Sequence, residues 1–117
     1  MRNCATAVLE QGNVKDSNFE TEPFEAGWAS EACWFVRLLE PGTAGNFTLV
    51  LIPQVSPDGL LWCDAPNARP HTITGPVRPT DVAMLPQTHF GNWLRLKAEL
   101  AAGADEIKVL IHLVLKE

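Results

Sequence analysis

No run of about 18 or more uncharged apolar residues, the length that a helix needs to cross a bilayer, occurs in this chain of 117 residues. The first residues, Met1 to Thr6, also lack the long apolar stretch of a secretory signal, and Glu10 follows soon after. From these absences we expect no membrane partner and no signal peptide.

Clustered positive charge is missing as well. The formal net charge is −5, the nine Lys and Arg residues are scattered, and only Arg95 and Lys97 form a close pair in the body of the chain. Nucleic-acid binding depends on many contacts between basic side chains and phosphates, so nucleic acid is not an expected partner.

Cysteine is scarce and lacks a metal-binding arrangement. Cys4, Cys33 and Cys63 cannot all pair, and their spacings of 29 and 30 residues fit neither a CxxC motif nor a zinc site. We therefore interpret them as small buried hydrophobic residues of a protein in a reducing compartment.

Motifs of catalysis and cofactor binding are also absent. No two of His71, His89 and His112 have the spacing of a local metal pair, and no GxSxG, GxGxxG, GxxxxGK[ST] or EF-hand sequence occurs. The sequence predicts a protein that is not an enzyme, with no catalytic residue, no cofactor and no metal ion.

What the chain does contain is a β-hairpin between residues 46 and 64. Residues 47–52 alternate with the period of two that is typical of a strand. Ser-Pro-Asp-Gly at 56–59 predicts a turn, because proline presets φ and glycine tolerates a positive φ. Residues 60–63 are expected to return as the partner strand, with Trp62 in the core.

Other segments extend this β pattern. Residues 31–40 predict a strong strand that is apolar on both faces, so we expect 31–64 to form a three-stranded meander. Residues 93–100 and 107–117 each alternate cleanly and predict a second hairpin. Five prolines in 65–87 exclude a central strand and a helix there, and this segment is expected to cross between two sheets.

The start of the chain is less regular. Residues 3–9 predict a first strand, and 11–18 a polar loop. Residues 19–28 predict a sheet edge with aromatic side chains on the core, or alternatively a functional acidic and aromatic lip.

About seven or eight strands and no helix indicate an all-β protein. We expect residues 1–117 to form a single antiparallel β-sandwich domain, of jelly-roll or Ig-like type.

Two groups of residues are candidates for an interaction surface. Trp28 and Trp93 could form a platform on which a sugar stacks, and Trp93 lies on the polar side of its strand beside Arg95. In the final strand the outward positions include Leu110, His112 and Val114. That face is too apolar for ordinary solvated sheet, so we expect its own chain or another subunit to cover it.

Two motifs carry a family resemblance. Gln54-Val-Ser-Pro-Asp-Gly-Leu-Leu-Trp-Cys-Asp64 resembles the Q-x-S-x-D-G-x-x-W-x-D hairpin of small β-sandwich proteins from phages and related bacterial gene clusters. His89-Phe-Gly-Asn-Trp-Leu-Arg-Leu96 resembles the F-G-x-x-[LI]-R part of the same proteins, so the likeness spans roughly residues 31–117. Some of these proteins decorate capsids or build virions, and many have no assigned role. The resemblance implies a β-sandwich without catalytic residues, located in a virion or in the cytoplasm.

The functional prediction is a structural or interaction module that self-associates as a homo-oligomer, or binds a shell protein, and decorates a phage-like or other protein assembly. The alternative is a carbohydrate-binding module that uses Trp28 or Trp93. A small enzyme is the third interpretation.

Overall fold

A computed structural model describes residues 3–39, 46–101 and 105–117 of the chain. Over these residues it contains ten strands and no helix, and hence no helix that is long and apolar enough to cross a membrane. The strands are β1 (Cys4–Lys15), β2 (Phe19–Glu20), β3 (Phe24–Glu25), β4 (Glu31–Leu39), β5 (Thr48–Ser56), β6 (Cys63–Asp64), β7 (His71–Thr74), β8 (Val82–Thr88), β9 (Trp93–Leu100) and β10 (Ile107–Lys116).

The strands form two antiparallel sheets that pack as a sandwich. One sheet has four strands in the order β1-β10-β4-β8. The other has six: β2-β9-β5-β6 in order, with β3 also pairing with β9 and β7 also pairing with β5. The all-β sandwich expected from the sequence is confirmed.

The strand order is that of a jelly roll. β2 and β3 act as one interrupted strand along β9, because Thr21 between them exchanges hydrogen bonds with the backbone of Leu96. β6 and β7 likewise share β5 as a neighbour. With each pair merged, eight strand positions remain, and they pair first with eighth, second with seventh, third with sixth and fourth with fifth. A long two-stranded ribbon rolled into two sheets gives this order. In an Ig-like sandwich, by contrast, the first strand pairs with the second.

The core lies between the sheets and follows from the alternation of the long strands. In β9 and β10 every second residue is buried, and the same holds for β4. Trp34 on β4 is completely buried, and its indole Nε1 donates a hydrogen bond of 3.0 Å to Oε1 of Gln87, itself buried on β8. The fully buried aliphatic side chains include Leu49, Leu51, Leu94, Leu96, Ile107, Val109, Ile111, Leu113 and Leu115.

Strand pairing differs from the sequence expectation in two places. β4 and β5 lie in different sheets, so the meander over 31–64 is wrong, and β9 and β10 also lie in different sheets, so they form no hairpin. The turns predicted at 41–45 and 101–106 lie wholly or partly outside the described residues. Alternation reports which side of a strand is buried, and it is the same for a hairpin as for two strands on opposite sides of a sandwich.

The remaining segments behave mostly as predicted. The proline-rich segment crosses between the sheets, since β7 and β8 are edge strands of different sheets. Residues 19–28 supply the edge strands β2 and β3, with Phe19 and Phe24 packed against the core. The loop predicted at 11–18 is wrong in its first part. There β1 continues to Lys15 through two irregularities in register, one of them at Gly12 with φ of 78°.

Candidate interaction surface

The outer face of the four-stranded sheet exposes several large apolar side chains. Strand register places its side chains in rows that run across β1, β10, β4 and β8 in turn. We call this surface the apolar face. Its members are Thr6, Val8, Gln11 and Val14 on β1, Lys108, Leu110, His112 and Val114 on β10, Cys33, Phe35, Arg37 and Leu39 on β4, and Val82, Met84 and Pro86 on β8.

Solvent reaches large apolar side chains at both margins of this face. Met84 is 57% exposed, Val82 53%, Val14 52% and Val8 48%. Between them the outward side chains of β4 and β10 are half-buried, since each is flanked by neighbours on the adjacent strands. A contiguous apolar sheet face of this kind is characteristic of an interaction surface, whereas single exposed apolar residues are not.

The charged groups on the apolar face lie towards its ends. The guanidinium of Arg37 is turned aside, because its Nε and Nη2 donate hydrogen bonds of 3.0 and 2.9 Å to the carbonyl oxygen of Pro79. In the row just beyond Val114 and Cys33, Lys116 lies opposite Glu31, and the row at the other end carries Lys108. The middle is left to His112 and its apolar neighbours in the same row, on β1, β4 and β8.

A shallow depression of about 360 Å³ lies at one corner of the apolar face, and its lining includes Phe35, Met84, Pro86 and Val114. Cys33 also lines it, and burial raises the pKa of this thiol above its ordinary value, against smaller opposing effects of a backbone hydrogen bond at Leu85 and the Lys116 charge. Cys33 is therefore a poor nucleophile but a useful reporter of whether the depression is covered.

The opposite side of the sandwich has a different character. On the outer face of the six-stranded sheet, Arg95 donates to Oε1 of Gln54 at 2.7 Å and pairs with Glu20 at 3.0 Å. Gln54 in turn donates to Asp64 at 2.8 Å. The Arg95 guanidinium lies 4.4 Å from the ring centroid of Trp62, a cation–π stack. Trp62 is therefore on this outer face and only half-buried, so its placement in the core is wrong.

Side-chain hydrogen bonds hold the turn between β5 and its antiparallel partner β6. Asp58 Oδ1 accepts hydrogen bonds from the backbone N–H groups of Leu60 and Leu61 at 2.8 and 3.1 Å, and Ser56 Oγ accepts from that of Gly59 at 2.8 Å. Gly59 has φ of 79°, which confirms its predicted role. Leu60 and Leu61, expected in the returning strand, lie in the turn and are 79% and 77% exposed.

The candidate residues from the sequence divide between separate surfaces. Leu110, His112 and Val114 are on the apolar face. Trp93 and Arg95 are on the outer face of the opposite sheet, where Trp93 lies against Gly59. Trp28 is in the connection from β3 to β4 and is 39% exposed.

Sequence reasoning missed most of the apolar face, including Val8, Phe35, Val82 and Met84. The apolar outward positions of β4 were the available signal, because a strand that is apolar on both sides has two faces to cover. Met84 and Val82 gave no such signal, since they stand in the proline-rich segment.

No arrangement of three or more His, Cys, Asp or Glu side chains that could hold a metal ion occurs in the described parts of the chain. No protein-family model matches the sequence, and no curated protein matches it.

Proposed function

We propose that this protein is a non-catalytic structural module that self-associates through its apolar face and decorates a larger protein assembly. The observation that carries the proposal is the outer surface of the four-stranded sheet, where Met84, Val82, Val14 and Val8 are about half exposed on either side of the half-buried outward side chains of β4 and β10. Water contact with so much apolar area is unfavourable, and a protein partner would remove it.

The size of the face suits a small protein interface. Four strands about 4.8 Å apart and a central strand about 34 Å long give a footprint of roughly 650 Å². A standard interface buries about 800 Å² per partner, and the smaller ones about 600 Å². The apolar face is therefore large enough for reversible association, although it offers no surplus.

The fold and the hairpin support a role in a particle by analogy. Jelly rolls build viral capsid proteins, but they also serve lectins and cupins, so the fold alone does not assign the function. The Ser-Pro-Asp-Gly hairpin, which resembles that of phage-type sandwich proteins, favours the first of these uses and a location in a virion or in the cytoplasm.

Light scattering over a range of protein concentrations tests the proposal. Met84→Asp is the test variant, since Met84 is exposed on an edge strand and its replacement leaves the core intact. Leu60→Asp is the matched control, because Leu60 is even more exposed but lies outside the apolar face. We expect the parent and the Leu60 variant to associate and the Met84 variant to be monomeric; a parent protein that is monomeric at every concentration would refute self-association.

The expected weakening follows from the exposed fraction. Complete burial of a methionine side chain contributes about 1.5–3 kcal/mol, so covering the 57% that is exposed contributes about 1–1.5 kcal/mol per copy. Two copies lose about 2–3 kcal/mol. A factor of ten corresponds to about 1.4 kcal/mol, so the dimer of the Met84 variant should be at least about 30- to 100-fold weaker.

Native cysteines give an independent readout without substitution. Cys33 lies on the apolar face, whereas Cys63 is exposed on β6 at an edge of the other sheet. Alkylation of Cys33 should slow relative to that of Cys63 as the protein concentration rises. A constant ratio of the two rates would show that the depression around Cys33 stays open.

A second candidate function is carbohydrate binding on the six-stranded sheet. It is favoured by the grouping of Trp62 and Trp93 with the hydrogen-bonding side chains of Arg95, Gln54 and Asp64 on one outer surface. Sugars stack on such aromatic rings and bond to polar groups beside them. A glycan array together with Trp fluorescence tests it, and Trp93→Ala should abolish any signal. A silent array and unchanged fluorescence would remove this candidate.

A further inference from the structure

We infer that two copies pair through the apolar face about a two-fold axis that runs parallel to the strands, between β4 and β10. This inference rests on the self-association proposed above and specifies its geometry. β4 and β10 are the two central strands of the sheet, so such an axis lays β4 of each copy over β10 of the other. Every contact then occurs twice, as in any interface between identical surfaces.

The distribution of charge selects this axis. Lys116 and Glu31 are register partners at one end of the sheet, so the axis places Lys116 over the partner's Glu31, and Glu31 over the partner's Lys116. The other two-fold axis in the plane of the interface runs perpendicular to the strands through the row of His112. It would place Lys116 over the partner's Lys108 at both ends. Facing opposite charges favours the first arrangement, and facing like charges disfavours the second.

The row of residues that contains His112 fits the same choice. Val8 on β1 and Met84 on β8 occupy one row, at opposite margins of the sheet. The parallel axis brings Val8 over the partner's Met84, whereas the perpendicular axis sets each of them over its own copy; both arrangements cover these exposed side chains with apolar atoms, so the choice falls to His112. In the middle of that row the parallel axis brings His112 over the partner's Phe35 instead of setting two imidazoles against each other, as the perpendicular axis does.

Crosslinking between single-cysteine chains tests the arrangement. Val8→Cys and Met84→Cys are made separately in a chain that carries Cys4→Ser, Cys33→Ala and Cys63→Ser. Packed sheets lie about 10 Å apart, beyond the reach of a disulfide, whose Cα atoms lie within about 7 Å, so a short bismaleimide is the probe. Each variant is treated alone and as an equal mixture with the other, and light scattering on untreated samples confirms association.

If the axis is parallel to the strands, the yield of crosslinked dimer in the mixture should be at least about ten times that of either variant alone. Copies of Val8 in such a dimer are separated sideways by about three strand spacings, roughly 14 Å, as well as by the gap between sheets. Efficient crosslinking of the Val8 variant alone would overturn the inference in favour of the perpendicular axis. Association without crosslinking in any sample would also overturn it while leaving the proposed function intact, whereas a parent chain that is monomeric at every concentration would refute the proposed function itself.

Discussion

The hydrogen bond between Trp34 and Gln87 joins β4 to β8 and so positions the strand that carries Met84. Both side chains are buried, the indole Nε1 donates to Oε1 of Gln87 at 3.0 Å, and Nε2 of Gln87 has no hydrogen-bond partner among the described residues. We therefore choose Trp34→Phe, Gln87→Leu and the double variant, because each single change leaves a buried polar group without its partner.

The magnitudes follow from what each change leaves behind. Gln87→Leu leaves the buried indole N–H without an acceptor, at a cost of about 1–3 kcal/mol. It also removes the unpaired Nε2, so we expect a net loss of stability near 1 kcal/mol. Trp34→Phe opens a cavity and leaves Oε1 of Gln87 without its donor, so we expect a loss of stability of about 2–4 kcal/mol. The double variant contains neither the indole N–H nor the Gln87 amide, so it leaves no polar group of this pair without a partner. Its loss should be smaller than the sum of the single losses by about 1–2 kcal/mol.

Urea unfolding at 25 °C, with the slope compared between variants, measures these free energies. Val36→Ala combined with Gln87→Leu is the control. Val36 is buried on β4 but is paired with Ala83, four residues before Gln87 along β8, so the two losses should add. If the losses of Trp34→Phe and Gln87→Leu also add within about 0.5 kcal/mol, the reasoning from the buried hydrogen bond is refuted.

Three further predictions concern the opposite sheet. Gly59→Ala should lower stability by about 1–2 kcal/mol in urea unfolding, because φ is 79° and a Cβ would lie 3.2 Å from the Trp93 ring; an unchanged midpoint would contradict this. Backbone hydrogen bonds from Leu60 and Leu61 hold the pKa of Asp58 below its ordinary value. The ionised Asp58 therefore stabilises the folded state above about pH 4, and this stabilisation is lost as the pH falls through the lowered pKa. Asp58→Asn should therefore be less stable than the parent at pH 6, and the difference between their urea midpoints should narrow toward pH 2. A difference that stays constant with pH would contradict this. Arg95→Ala should change the fluorescence of Trp62 by removing the stacked guanidinium, whereas the same replacement at the exposed Arg78 should not.

The sequence predicted where the strands lie in the chain better than it predicted which strands lie side by side. Alternation located β4, β5, β9 and β10 because burial of one side leaves a period of two in any sheet. It could not say that successive strands lie in opposite sheets, since the same side chains would be buried in a hairpin. The short strands β2, β3 and β6 have two residues each, too few to form a pattern, and they raise the count from the expected seven or eight to ten.

The candidate surface was predicted only in part, and for a related reason. The outward apolar residues of β10, Leu110 and Val114, were identified from their own strand. An apolar face, however, depends on which strands lie side by side, and the neighbours β1, β4 and β8 come from distant parts of the chain. Trp62 was misplaced because size and hydrophobicity suggest burial, whereas the Arg95 stack covers the indole on an outer surface.

The position of β10 constrains the order in which the protein can fold during synthesis. β10 lies between β1 and β4, so these two strands have no common neighbour until the ribosome has made β10, after the other nine strands of the described residues. The pairing of Cys4 with Lys116 closes a loop of more than a hundred residues, and such long-range pairing is slow. Until then the unpaired edges of β1 and β4 are exposed together with apolar side chains. This interval is when a chaperone would be of most use to the protein, and when a stalled chain would be most prone to aggregate.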